Sequence, residues 1–188
     1  ERSQAKRAST LPHVPFVGDG AVLRSAIDAL AANALVVVDG PPGSGRDRFV
    51  EELVFALQSR ALDDGRAVPT ALPMQLEALG APWHDEAHVG LVRTTDAAQL
   101  ETVRRAHEAQ CVAHGAGWIV IGPCDESAGD HIVRLAPLDA GRFDVLSTAL
   151  TRFDPPHDLA ERSGRLAGLA CRIAVGQRGQ HGGLPESE

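Results

Sequence analysis

Residues 39–48 read DGPPGSGRDR. Gly40, Gly43 and Gly45, followed by a run with helical periodicity, are the makings of an anion cradle. Glycines let successive backbone amides converge on oxygen atoms, and a helix N-terminus adds unpaired amides and the positive end of its dipole. The complete phosphate-holding pattern is G-x-x-x-x-G-K-[ST], in which lysine reaches the terminal phosphates and the hydroxyl holds magnesium. Gly40, Pro41, Pro42, Gly43, Ser44 and Gly45 fill the first six positions, and Arg46 and Asp47 replace the last two. Arg46 keeps a charge, but as a planar fork, not a compact ammonium. Asp47 sets a carboxylate at the magnesium position, where it repels phosphate unless something offsets it, and the neighbouring sequence offers no such group. In the first helical turn Asp47 can also take up the amides that phosphate would use, which favours the empty loop. The loop either joins strand and helix and nothing more, or retains anion or nucleotide binding.

Hydrolysis needs a second anchor, an acid at the end of a neighbouring strand that holds the magnesium shell. The matching strand is HVGLV, and it ends in Arg93, Thr94 and Thr95 with no carboxylate before Asp96. Asp96 is better placed to cap the next helix. Two defects at positions that must cooperate predict loss of hydrolysis. The chain has a single lysine, Lys6, in its polar N-terminal stretch, so every basic role in the folded part falls to arginine or histidine.

Other chemistry-bearing groups have plainer readings. WHDEAH sets His84 and His88 four apart with Asp85 and Glu86 between them, which is not the H-E-x-x-H order and lacks a matching base. Cys124, Asp125 and Glu126 adjoin with no histidine beside them, so a nucleophilic cysteine has no base. Cys111 and Cys171 fall in apolar helical patterns and read as core. Arg93, Arg104, Arg105 and Arg134 form at most a small basic area diluted by nearby acids. No metal site is expected.

The elements that must position these residues alternate strand and helix. Asp19 caps a helix carrying Val22, Leu23, Ala26, Ile27 and Leu30. Ala34–Val38 is a short buried strand, and Arg46–Arg60 is a helix with Phe49, Val50, Leu53, Val54 and Leu57 on one face. Strands follow at Ala67–Leu72, with Pro69 marking a sheet edge, then at Val89–Arg93, Trp118–Ile121 and His131–Leu135. A short helix is read in PMQLEALG, a capped helix runs from Asp96 to His114, and Gly115–Gly117 stop it. Helices at Arg142–Phe153 and Asp158–Val175 complete the order. This alternation calls for an α/β fold, a parallel sheet covered on both faces in three layers. The expected organisation is a flexible tail at 1–12, an α/β domain at 13–138, a partial helical lid at 139–176 and a polar linker or tail at 177–188.

Size and charge set the outer limits. The 188 residues suit one domain, 44% of them hydrophobic but only 4% aromatic, so the core rests on Ala, Val and Leu. The net charge of −7 disfavours a broad nucleic-acid or acidic-membrane surface, and no direct nucleic-acid contact is expected. Three widely spaced cysteines read as reduced thiols in a cytoplasmic protein. No apolar run approaches membrane-spanning length.

The order of these motifs resembles the signal-transduction ATPases of the large LuxR-type bacterial transcriptional regulators, within the AAA-like/STAND P-loop NTPases. PFVGDGAVL at Pro15–Leu23 is similar to their opening phrase F-V-G-R-x-x-E-L, with Asp19 at the usual arginine. GWIVIGPCDES resembles the strand that ends in the family's phosphate sensor, where Pro123, Cys124 and Asp125 supply no sensing group. VRLAPLD at 133–139 resembles the phrase joining sheet to lid. LAERSGRLAGLA at 159–170 resembles the lid phrase ERSGGNPLAL, with Ser163 and Gly164 kept and Arg165, Leu166 and Ala167 departing. The resemblance spans about 15–175 and implies a P-loop NTPase-like sheet with a short C-terminal helical lid. With the motifs departing as they do, it implies a catalytically inactive domain without cofactor, regulatory or scaffolding in role, acting on a protein partner or on other domains of its polypeptide. The rival expectations are a weak ATP/ADP-binding switch using Mg2+, and an ATPase with an atypical phosphate loop.

Overall fold

The computed structural model describes residues 14, 16–79, 88–114, 117–124 and 130–181. Its centre is a five-stranded sheet in which every pairing is parallel. The strands are β1 (Leu35–Asp39), β2 (Thr70–Met74), β3 (His88–Arg93), β4 (Gly117–Ile121) and β5 (His131–Arg134), in the order β2-β3-β4-β1-β5. β1 is interior, second from the β5 edge: Val37 faces Val120 of β4 on one side and Ile132 of β5 on the other. A strand buried on both faces must be apolar throughout, and Leu35 to Val38 are all buried. β2 lies at an edge, as Pro69 suggested, and carries Pro73 within it, where a missing N–H costs least.

Alternation along β1 builds two cores. Val36 and Val38 pack with Ile27 and Leu30 of α1 (Gly20–Ala31) and with Phe49 and Leu53 of α2 (Arg46–Asp63). Leu35 and Val37 point to the opposite face, packing with Leu100 and Val103 of α3 (Ala97–His114) and with Trp118. Helices therefore cover both faces, giving three layers. A third cluster gathers Val14, Phe143 and Leu146 of α4 (Ala140–Leu150), Leu159 of α5 (Leu159–Ser163) and Ala170 of α6 (Ala167–His181).

Several boundaries differ from expectation. PMQLEALG yields only a single 3₁₀ turn at Leu76–Ala78, and α4 ends in another at Thr151–Phe153. The single helix expected at Asp158–Val175 is two, because Gly164 and Arg165 both adopt the left-handed conformation, at φ 55° and 58°. There the Leu138 N–H donates to the Arg165 carbonyl, so the break ties α5–α6 to the segment after β5. α6 then continues through Gly176 to His181, across residues whose glycine-rich composition reads as tail. Gly117 is a strand residue and no helix stop, while Gly115 and Ala116 lie outside the described residues. The tail at 1–12 also lies outside them.

Candidate functional site

The loop after β1 is held in shape by its glycines. Gly43 and Gly45 have φ of 89° and 92°, which disfavour a side chain. A Cβ on Gly40 would lie 2.7 Å from both the Leu135 carbonyl oxygen and the Ser44 Oγ, so the chain passes too close there for any other residue. The Ser44 N–H donates to the Pro41 carbonyl at 3.0 Å and closes the turn. Gly45 then serves as N-cap of α2 without a side-chain cap, leaving the first-turn amides of Arg46 and Asp47 pointing out of the helix end. Ser44 is 7% exposed, and its hydroxyl, directed across the loop toward Gly40, has no hydrogen-bond partner among the described residues.

Asp47 does not cap α2, contrary to expectation. Its carboxylate accepts a hydrogen bond from the Arg93 guanidinium at the end of β3. The expectation that nothing offsets the carboxylate fails for the same reason. A helix rising from β1 and a strand two places away in the sheet bring the loop's acid and the strand's arginine together. Both side chains are about two-thirds exposed, so the pair contributes at most about 1 kcal/mol to stability. Its consequence is positional. A guanidinium meets a carboxylate where a hydroxyl, a magnesium ion and an acid would be bridged.

At the rest of the strand end Thr95 and Asp96 are committed to the next helix, and the buried Thr94 hydroxyl has no hydrogen-bond partner among the described residues. Thr94 is 5% exposed, and its side chain packs against Gly122, where a Cβ would lie 2.0 Å from Thr94 Oγ1. Asp96 caps α3, accepting from the Gln99 N–H at 2.9 Å, while Gln99 Oε1 accepts from the Thr95 N–H at 2.8 Å. This is a capping box offset by one residue, and it fixes Thr95 and Asp96 to the helix start. Among the described residues no group of three His, Cys, Asp or Glu side chains converges as a metal set.

The C-terminal helices sit directly on the loop. The Leu169 N–H of α6 donates to the Gly43 carbonyl at 3.0 Å, and a Cβ on Gly168 would lie 3.0 Å from the same oxygen. The entry segment joins them: Asp19 caps α1 through the Ala21 N–H at 2.8 Å and accepts from Arg142 of α4 at 2.9 Å. The hydrogen bond from Arg142 holds the Asp19 carboxyl below its ordinary range. Between loop, entry segment and α6 lies a cleft of about 760 Å³, within the range of small-molecule sites. Of the loop-side arginines, Arg48 is held by Glu51, Glu52 and the Val14 carbonyl. Arg46 makes no ion pair or hydrogen bond among the described residues and faces the cleft. Burial pushes the Cys171 thiol up, so it lines the cleft as a neutral group.

The remaining candidates separate. His88 opens β3, whereas His84, Asp85 and Glu86 lie outside the described residues. Cys124 packs against the α3-side core, and Asp125 and Glu126 lie outside the description, as does the side chain of Cys111. Arg104 is paired with Asp130 at 2.8 Å and Arg105 with Glu101 at 3.2 Å, so the small basic area does not form. Sequence reading missed Arg142, whose partner Asp19 is 123 residues away with no local signal. It also missed Arg93 as a partner and Gly168 as the contact on the loop.

No family model matches the chain, and no curated protein matches it. Among solved structures, the chain is similar to one in the HORMA:CdnC:Trip13 complex of E. coli MS115-1, at 15% identity and TM-score 0.49, covering 75% of this chain and 66% of that one. It is also similar to C. elegans PCH-2, at 13% identity and TM-score 0.43, covering 70% of this chain and 43% of that one. The chain thus spans less than two thirds of each. Its own topology sets the fold class. A parallel sheet flanked by helices, with a glycine loop between an interior strand and a helix, is P-loop NTPase-like.

Proposed function

We propose that this chain is a catalytically inactive NTPase-like domain with a regulatory or scaffolding role, part of a LuxR-type signal-transduction or transcriptional regulator. The observation that carries the proposal is the ion pair between Asp47 and Arg93. Phosphoryl transfer to water needs a magnesium ion on the terminal phosphates and an acid that organises the attacking water. The residues present do not fit that ion. Of the two carboxylates at the loop, Asp47 is engaged by a guanidinium and Asp39 accepts from the Gly40 N–H; the strand end contributes positive charge, and Asp96 is occupied in capping α3. Without metal and base, a bound triphosphate has neither charge neutralisation in the transition state nor a directed nucleophile.

Contacts with protein remain as the working surface. β2 is an open sheet edge with Leu72 39% exposed, and Leu62 at the end of α2 is 57% exposed. An open edge and exposed large apolar side chains suit a protein partner or further domains of the same polypeptide. Residues 13–138 would form the sheet unit and 139–176 the lid, within a cytoplasmic protein. Among the described residues no helix is long and apolar enough to cross a membrane.

A second role, as a weak ATP- or ADP-binding switch, is favoured by the free Arg46 side chain and the unpartnered Ser44 hydroxyl. The inactive assignment is tested by steady-state phosphate release from ATP with magnesium. The expected rate matches the protein-free control. Release above that control and abolished by Arg46→Ala would establish an ATPase with an atypical loop.

A further inference from the structure

We infer that Arg93 stands in for the divalent cation, so that the loop binds a nucleoside diphosphate without magnesium. This deepens the assignment above and rests on its view of the Asp47–Arg93 pair. The objection to phosphate at this loop is the Asp47 carboxylate, and Arg93 neutralises it from the side of β3. With that pair formed, Arg46 offsets the Asp39 carboxylate, which accepts from the Gly40 N–H at 2.7 Å, so the stretch 39–47 no longer carries a net negative charge. A lysine, a divalent cation and a strand-end acid would together supply more, so the load matched here is smaller than a magnesium triphosphate.

Three observations place the anion. The amides at the start of α2 have no side-chain cap, and the helix dipole adds to them. The Ser44 hydroxyl is more than nine-tenths buried inside the loop with no partner, a cost of burial that a phosphate oxygen would relieve. Arg46 lines the cleft and pairs with no acid among the described residues. The far wall of the cleft sets the apolar side chains of Val17, Val22 and Leu138 beside the Asp19–Arg142 pair, and those apolar side chains offer a flat ring a surface. A ligand anionic at one end and apolar at the other satisfies both walls.

The experiment is calorimetric titration of the whole chain with ADP, in EDTA and again in magnesium, with pyrophosphate as a second probe. Saturable ADP binding in EDTA is expected, unchanged by magnesium within about twofold, with pyrophosphate weaker by about tenfold or more for want of the apolar wall. Arg46→Ala should weaken ADP by about tenfold, the scale of one lost hydrogen bond to a charged group. Arg93→Ala, at an exposed position, should weaken binding in EDTA and make it recover with magnesium, because the freed Asp47 carboxylate can then take the ion. Binding that needs magnesium in the wild type, no binding in EDTA, equal affinity for pyrophosphate, or an Arg93→Ala chain indistinguishable from wild type would each overturn the inference. Phosphate release from ATP would overturn the inactive assignment and leave metal-free ADP binding standing. Absence of ADP binding would do the reverse.

Discussion

Gly168→Ala sets two effects of opposite sign against each other at the junction of α6 and the loop. Glycine is a poor helix residue, so alanine at this first-turn position should stabilise α6 by up to about 1 kcal/mol. The new Cβ, however, would lie 3.0 Å from the Gly43 carbonyl oxygen, 3.3 Å from the Gly45 nitrogen and 3.4 Å from the Gly45 Cα. These are backbone atoms in a tight loop and yield little, and overpacking of this kind costs about 1–3 kcal/mol. Lifting α6 relieves the clash and breaks the bond from Leu169 N–H to the Gly43 carbonyl. Leu169 is the third residue of α6, where no intrahelical acceptor exists, so its amide is protected only while α6 sits on the loop. The Ala170 amide donates to the Leu166 carbonyl at 2.9 Å, within the helix start, and serves as an internal control. Opening made easier by about 1.4 kcal/mol means about tenfold faster exchange at Leu169. Ala170 should stay close to its wild-type rate. Native-state hydrogen exchange by NMR reads both amides in one sample. If Leu169 exchanges no faster in the variant while global stability rises, α6 is not seated on the loop and the helix propensity alone has acted.

Asp130→Ala removes the partner of Arg104, an ion pair whose side chains are 12% and 8% exposed. It should cost about 3 kcal/mol in urea unfolding, since a buried guanidinium loses its main acceptor. A loss below about 1 kcal/mol would mean Glu101 alone suffices. His107 is held below its ordinary value of 6.5, chiefly by burial, opposed by the charge of Asp130 and a hydrogen bond to the Asn33 backbone. Its folded form is therefore neutral, while the unfolded chain takes up a proton first as pH falls, so stability is complete above about 6.5 and declines as pH drops toward the lowered value. His107→Leu should flatten the stability–pH slope just below 6.5; equal slopes would assign that loss of stability to other groups.

The fold was legible because its signals are local. The valine run of β1, the glycines after it and the apolar face of α2 each fall within a few residues, and both periodicities are strong. Asp19 and Asp96 as caps were legible for the same reason, since a cap acts on amides two or three residues away. The break at Gly164–Arg165 was hidden because one of its two left-handed residues is an arginine, which composition treats as a helix former. Tertiary contact overrides the propensity there, through the Leu138 N–H on the Arg165 carbonyl. The site was half legible. Spacing gives which residues occupy the loop and the strand end, but not that Asp47 and Arg93, 46 residues apart, would touch. Strand order decides that, and no window of sequence contains it.

Pairing bears on what kind of change separates this loop from the full phosphate-holding pattern. Loss of a site by erosion would leave its replacement acids unmatched, and each unmatched acid would repel ligand or disturb the helix end. Here the acid at the ion's position meets an arginine from β3, and the acid in the entry segment meets Arg142 from α4. In both cases the acid's partner comes from a different element. The two pairs also lie at the loop's outer edge and the cleft's opposite wall. Exposed pairs of this kind contribute little to stability, so they mark where β3 meets α2 and where α1 meets α4 more than they hold those elements in place. On the inactive assignment proposed above, the two pairs lie where the loop and entry segment would face a partner.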